Sequence, residues 1–143
     1  MMMSSRRCLC SVMVFVLAGC SHGETTSTVT GKVLVDGQPL TIGTVVFTPD
    51  AAKGNTSMHE PRGKLDANGV FHVFQTKDGG AVSPGWYKIS IRAQRLKDPT
   101  DRYSQMSVIP TKFASPETSG LTLEVVDHPA PVAYDITLSA KEP

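Results

Sequence analysis

From Val29 onward the chain repeats one signal: apolar residues at every second position, interrupted at short intervals by Gly, Pro, Asn or Asp. Successive side chains of a strand point to opposite faces, so this spacing predicts half-buried strands. No stretch holds the i, i+3, i+4, i+7 spacing that an amphipathic helix requires. The clearest segment is residues 86–92, with Tyr87, Ile89 and Ile91 on the inward face and Trp86, Lys88, Ser90 and Arg92 on the outward one. Similar alternation predicts strands over 29–35, 43–48, 62–65, 69–75, 121–126 and 134–138. Asp36-Gly37, Pro49, Asp66-Ala67-Asn68-Gly69, Pro84-Gly85 and Asp127-His128-Pro129 supply the breaks between them. Seven short strands separated by turn chemistry predict an all-β fold, a seven-stranded antiparallel β-sandwich over residues 28–143. Side chains from its two inner faces would interdigitate into a single core.

Composition narrows the function classes. The 143 residues make one domain's worth of chain, and 40% hydrophobic with 19% charged residues excludes charge-driven disorder and a multi-span membrane protein. With 14 basic against 13 acidic residues, nothing calls for nucleic acid or another polyanion as partner.

The first nineteen residues have a different character. Arg6 and Arg7 precede a mostly apolar run, Cys8 to Gly19, that is shorter than the roughly 20 residues a spanning helix needs. A basic flank, a short apolar stretch and small residues at its end predict an export signal, helical until it is cleaved. Leu17-Ala18-Gly19-Cys20 resembles the lipobox of bacterial lipoproteins. That resemblance implies that residues 1–19 are removed and that the Cys20 thiol accepts a diacylglyceryl group. Cys20 then becomes the new N-terminus, whose amine can carry a further acyl (palmitate-type) chain. Two or more chains hold a protein on a membrane stably, where one does so only marginally. All three cysteines, Cys8, Cys10 and Cys20, fall in this region, so the exported domain carries no disulfide and no thiolate metal site. Loss of Arg6 and Arg7 leaves 12 basic against 13 acidic residues, and the acyl chains rather than a basic patch would do the anchoring. Ser21, in place of an Asp, leans toward the outer membrane under the same resemblance. Residues 20–27 are small and polar and read as a flexible tether.

A second resemblance emerges from the domain itself. Thr30-Gly31-Lys32-Val33 with Asp36-Gly37-Gln38-Pro39-Leu40 is similar to the opening of carboxypeptidase regulatory-like domains, which have the transthyretin-like seven-stranded sandwich. Asp66-Ala67-Asn68-Gly69-Val70-Phe71 resembles their central hairpin, and Gly80-Ala81 with Pro84-Gly85-Trp86-Tyr87-Lys88-Ile89 resembles the strand that follows. Ile109-Pro110-Thr111-Lys112-Phe113 and Ser119-Gly120-Leu121-Thr122 are similar to a subgroup of small bacterial lipoproteins carrying this domain. The resemblance implies a fold and a place on the cell envelope, and no shared activity.

Chemistry is sparse. His22, His59, His72 and His128 have no i, i+4 or H-x-H spacing, so no metal site is expected, and solvated surface histidines are the simpler reading beside a long-range cluster of His59, His72 and His128. Asp66-x-Asn68-Gly69 begins like a calcium loop but lacks the later ligands, and turn chemistry accounts for it. There is no G-x-S-x-G elbow, and Gly79-Gly80 lies between strands rather than before a helix. A purine-pathway hydrolase shares the transthyretin-like fold, but its signature histidines and terminal Tyr-Arg-Gly-Ser are absent from this chain, which ends Ser139-Ala140-Lys141-Glu142-Pro143. No catalytic residue and no cofactor are expected. Two features could bind. Trp86, the single tryptophan, faces outward, and Tyr103 lies in a connection of 26 residues, 93–118, without clear secondary structure. That connection is either a functional loop or a cover in which Met106, Val108, Ile109 and Phe113 close one end of the fold. The expectation is a lipid-anchored, non-enzymatic envelope protein with a structural, adhesive or protein-interaction role. The competing reading is a surface carbohydrate-binding module using Trp86 and Tyr103.

Overall fold

The computed structural model describes residues 29–73 and 82–141. The expected signal segment, the Cys20 lipidation site, the tether with His22, and Gly79-Gly80 lie outside the described residues.

The described chain is built from strands, with two short 3-10 helices, Ala51–Lys53 and Thr111–Ala114. In order the strands are β1 (Val29–Val35), β2 (Gln38–Pro39), β3 (Thr44–Pro49), β4 (Arg62–Lys64), β5 (Val70–Val73), β6 (Gly85–Arg92), β7 (Gln94–Leu96), β8 (Gln105–Ser107), β9 (Leu121–Val125) and β10 (Ile136–Leu138). One sheet runs β10-β1-β2, with β5 also paired to β1; a second runs β4-β3-β6-β9; β7 and β8 form a separate hairpin.

Each of the seven expected segments overlaps a strand, and three more strands, β2, β7 and β8, correct the count of seven to ten among the described residues. The expectation that every pairing is antiparallel is also corrected. β1 and β10 run parallel, Val33 opposite Ile136 and Val35 opposite Leu138. Alternation fixes which face a side chain takes, and it carries no information on which strand lies alongside or in which direction. The join is reinforced by the backbone N–H of Lys32, which donates to Asp135 Oδ1 at 2.9 Å.

The inward side chains of both large sheets meet in one buried cluster: Val29 and Val33 from β1, Phe71 and Val73 from β5, Val45 and Phe47 from β3, and Tyr87, Ile89 and Ile91 from β6. The Phe47 ring touches Phe71 at 6.1 Å and Tyr87 edge-on at 5.8 Å between centroids, so aromatic contacts bind one sheet to the other. Ser90, expected on the solvent side of β6, is only 1% exposed. The segment 114–117 folds across that face and forms, with Ser90, Arg92, Glu60 and Arg62, a narrow polar groove.

β4 belongs to one sheet and β5 to the other, and the turn Asp66–Gly69 connects them. Asp66 Oδ1 accepts the backbone N–H of Asn68 at 2.8 Å and of Val70 at 2.9 Å, the Asx-type geometry expected of a turn. These donors, Val70 first, hold the Asp66 carboxyl below its ordinary value of 3.8. A carboxylate with a depressed folded pKa stabilises fully above its ordinary value, and that contribution is lost as pH falls through the folded one. The urea midpoint should therefore fall on acidification below about pH 4. Asp66→Asn, whose side chain does not titrate, should show a shallower acid limb, and a limb identical to wild type would remove Asp66 from the account.

The connections place particular residues at particular ends. Residue 134 precedes β10 and lies beside Gly31, because β10 runs parallel to β1. Its side chain reaches across to the other sheet, where the Tyr134 hydroxyl accepts the backbone N–H of Val126 at 3.1 Å. Val125 pairs with Gly85. The start of β1, the start of β6 and the end of β9 therefore share one end of the molecule. The end of β6 lies opposite, and the β7–β8 hairpin leaves from it. Twelve of the thirteen residues 94–106 are exposed, so this hairpin stands out from the domain as an arm. It replaces the featureless connection expected over 93–118. Beyond the arm, Ile109 and Phe113 are buried in the core and Val108 packs against it, as a cover would require, whereas Met106 is 39% exposed and belongs to the arm.

Candidate functional site

Among the described residues, an open concavity is built by the chain between β3 and β4. After Pro49 the backbone N–H of Asp50 donates to the Trp86 carbonyl at 3.0 Å, and the Asp50 carbonyl accepts the N–H groups of Lys53 and Asn55. Gly54 takes a left-handed φ of 85°, which turns the chain back on itself at little steric penalty. Asn55, 8% exposed, is thereby placed to donate from Nδ2 to the same Trp86 carbonyl at 2.9 Å, while its Oδ1 accepts the N–H of Ser57 at 3.1 Å. A buried amide with both ends engaged is a fixed strut. On the other side Tyr87 donates its hydroxyl to the Ser83 carbonyl at 2.8 Å, and burial pushes that hydroxyl's pKa up. The result is an open cleft of about 520 Å³ lined by Lys53, Asn55, Met58, His59, Ser83 and Pro84 among others.

Trp86 flanks this cleft. Its indole is half-buried rather than fully outward, and the Lys53 ammonium sits 3.9 Å from the ring centroid. Such a cation–π contact contributes about 0.5–1 kcal/mol at an exposed site, and it occupies an indole face that a sugar ring would need. Tyr103 is elsewhere. It is 85% exposed at the tip of the arm, with the Arg102 guanidinium 5.9 Å from its ring centroid. Trp86 stands at the start of β6 and the arm leaves from its end, so the structure does not bring the two aromatic residues together. The tip itself is held by a lattice of short bonds: Ser104 Oγ donates toward the carbonyls of Asp98 and Asp101, and Asp98 Oδ1 accepts both the N–H and the hydroxyl of Thr100. Those two bonds from Thr100 lower the Asp98 pKa.

The histidines are dispersed. His72, exposed on β5 as expected, places Nδ1 3.0 Å from Thr30 Oγ1; His59 lies in the cleft loop; His128 follows β9. Among the described residues no group of three or more His, Cys, Asp and Glu side chains could hold a metal ion. In the groove over Ser90, Glu60 accepts the Thr48 hydroxyl at 3.0 Å and lies 3.6 Å from Arg62, while Glu117 accepts the Ser115 hydroxyl. Exposed pairs of this kind contribute little to stability and leave an electrically mixed surface.

Sequence reasoning missed Asn55 and Lys53 as builders of the cleft. Their signal was present in Lys53-Gly54-Asn55, where a glycine suited to positive φ precedes an amide, but it reads as ordinary loop until the loop is seen to fold back on Trp86. Compared with known proteins, the chain matches no family model, no curated protein and no solved structure. Among the described residues no helix is long and apolar enough to cross a membrane.

Proposed function

We propose that this chain is a bacterial lipoprotein: a carboxypeptidase regulatory-like (transthyretin-like) β-sandwich, exported, cleaved after Gly19, acylated on Cys20 and held on the cell envelope. Its role is non-enzymatic and rests on presenting a rigid surface to envelope proteins. The observation that carries this reading is Leu17-Ala18-Gly19-Cys20 behind a short apolar run and two arginines. The sandwich assignment is supported by two four-stranded sheets whose inward side chains share a single core. The interaction role is supported by the arm, whose bonded tip displays Tyr103 and Arg102, residue types that dominate protein interfaces. The carbohydrate alternative needs an aromatic platform. With Trp86 under Lys53 and Tyr103 at the other end of β6, the geometry favours the protein-interaction reading over it.

The test is intact mass and detergent partitioning of the full chain expressed in a bacterial host, beside Cys20→Ala. The expected wild type lacks residues 1–19, carries acyl mass and enters the detergent phase, and the variant does neither. A soluble, unacylated wild type would overturn the reading.

A further inference from the structure

The anchor and the domain together define a direction. We propose that the end of the domain carrying Met58 and Val132 rests on the lipid bilayer and that the β7–β8 arm points away from it. The inference rests on the lipoprotein reading above and adds an orientation and a lipid contact that acylation alone does not require.

Three observations support it. First, the described domain begins at Val29, and the start of β1 shares an end with the start of β6, the cleft and the β9–β10 connection, as the Tyr134–Val126 bond and the Val125–Gly85 pair establish. Second, reach is limited. Nine peptide steps separate Cys20 from Val29, and whatever their conformation they span at most about 32 Å. The eight residues of β6 extend over about 23 Å, and the arm leaves from its far end. Laying the arm on the bilayer would consume most of the link merely in running back along the domain. Third, the near end carries exposed side chains of the kind a lipid surface accepts, as the arm also does in Leu96, Tyr103 and Met106, so that reach rather than exposure decides between the two ends. Met58 is 95% exposed in the cleft loop, and Val132 is 76% exposed and Val126 38% exposed in the β9–β10 connection. Beside them lies Trp86 with the Lys53 ammonium over its ring. An indole paired with a lysine suits the headgroup layer, where an aromatic body and a cationic tip find different surroundings within a few ångströms.

The domain's near-neutral charge makes the contact weak by itself, since anionic lipid gains little from it. Tethering supplies the missing affinity by raising the local concentration of these loops at the surface. The separated domain is accordingly expected not to bind vesicles.

Cysteine chemistry makes the test direct. Once the leader is removed and Cys20 acylated, the chain has no free thiol, so one introduced cysteine is labelled uniquely. Met58→Cys, Val132→Cys and Tyr103→Cys replace exposed side chains, and each is labelled with an environment-sensitive dye in the full acylated chain. The labelled proteins are reconstituted into phosphatidylethanolamine–phosphatidylglycerol vesicles with and without a lipid-borne quencher. The expected result is blue-shifted emission and several-fold stronger quenching at 58 and 132 than at 103. An acylated chain in which 58 and 132 are as water-exposed as 103 would overturn the orientation and leave the lipoprotein reading standing. Purified chain without acyl mass would overturn both.

Discussion

Gly31→Ala is expected to destabilise the domain by about 3 kcal/mol, the upper part of the range for forcing extra volume into a packed interior. Gly31 sits inward on β1 between Val29 and Val33, where alternation calls for an apolar side chain. A Cβ at this position would lie 2.3 Å from the Tyr134 carbonyl oxygen and 2.7 Å from the Phe71 ring. The first obstacle is backbone, so no side-chain rotation relieves it. Either β1 or the segment leading into β10 must move, and that segment carries both the Asp135 bond to β1 and the Tyr134 bond to Val126. Glycine inside a strand marks this kind of close approach. Urea unfolding should show a lowered midpoint with an unchanged slope, and a midpoint equal to wild type would mean that the two backbones are not in contact.

Phe47→Ala should lose about 4 kcal/mol, within the range for emptying a buried aromatic site. Phe47 is fully buried and is the ring through which the second sheet meets Phe71 of the first. Its loss removes contacts with Phe71 and Tyr87 at once. Phe47→Leu keeps most of the volume and should lose less. Trp86 is the only tryptophan and reports unfolding by its own emission, which permits both variants to be followed without a label. Equal stability of Phe47→Ala and Phe47→Leu would show that the site closes up on truncation.

The strands that could be read in the sequence are those long enough to repeat. β1 and β6 show three or more inward residues in alternation, and the pattern delimits them nearly to the residue. β7 and β8 have three residues each, too few to establish a period, and they are made strands by pairing with each other rather than by burial. Ser90 follows the outward pattern of β6 yet is buried, because its cover comes from residues some twenty-five positions later. Trp86 stands on the face of β6 opposite Tyr87, but the Lys53 that lies on it arrives through a loop whose path depends on Asn55 reaching the Trp86 carbonyl. Local pattern thus reveals faces and turns. What covers a face, and which strand lies beside which, depends on contacts between distant parts of the chain.

The parallel pairing of β1 with β10 also sets a timetable. Val33 finds its neighbour Ile136 only when nearly the whole chain has been delivered. Until then β1 offers an open edge, and contacts spanning such a sequence separation form late. A chain threaded through a translocation pore must stay unfolded until it has passed. On the proposed export route, β1 can pair with β2 and β5 early, and its other edge stays open until β10 has followed it through.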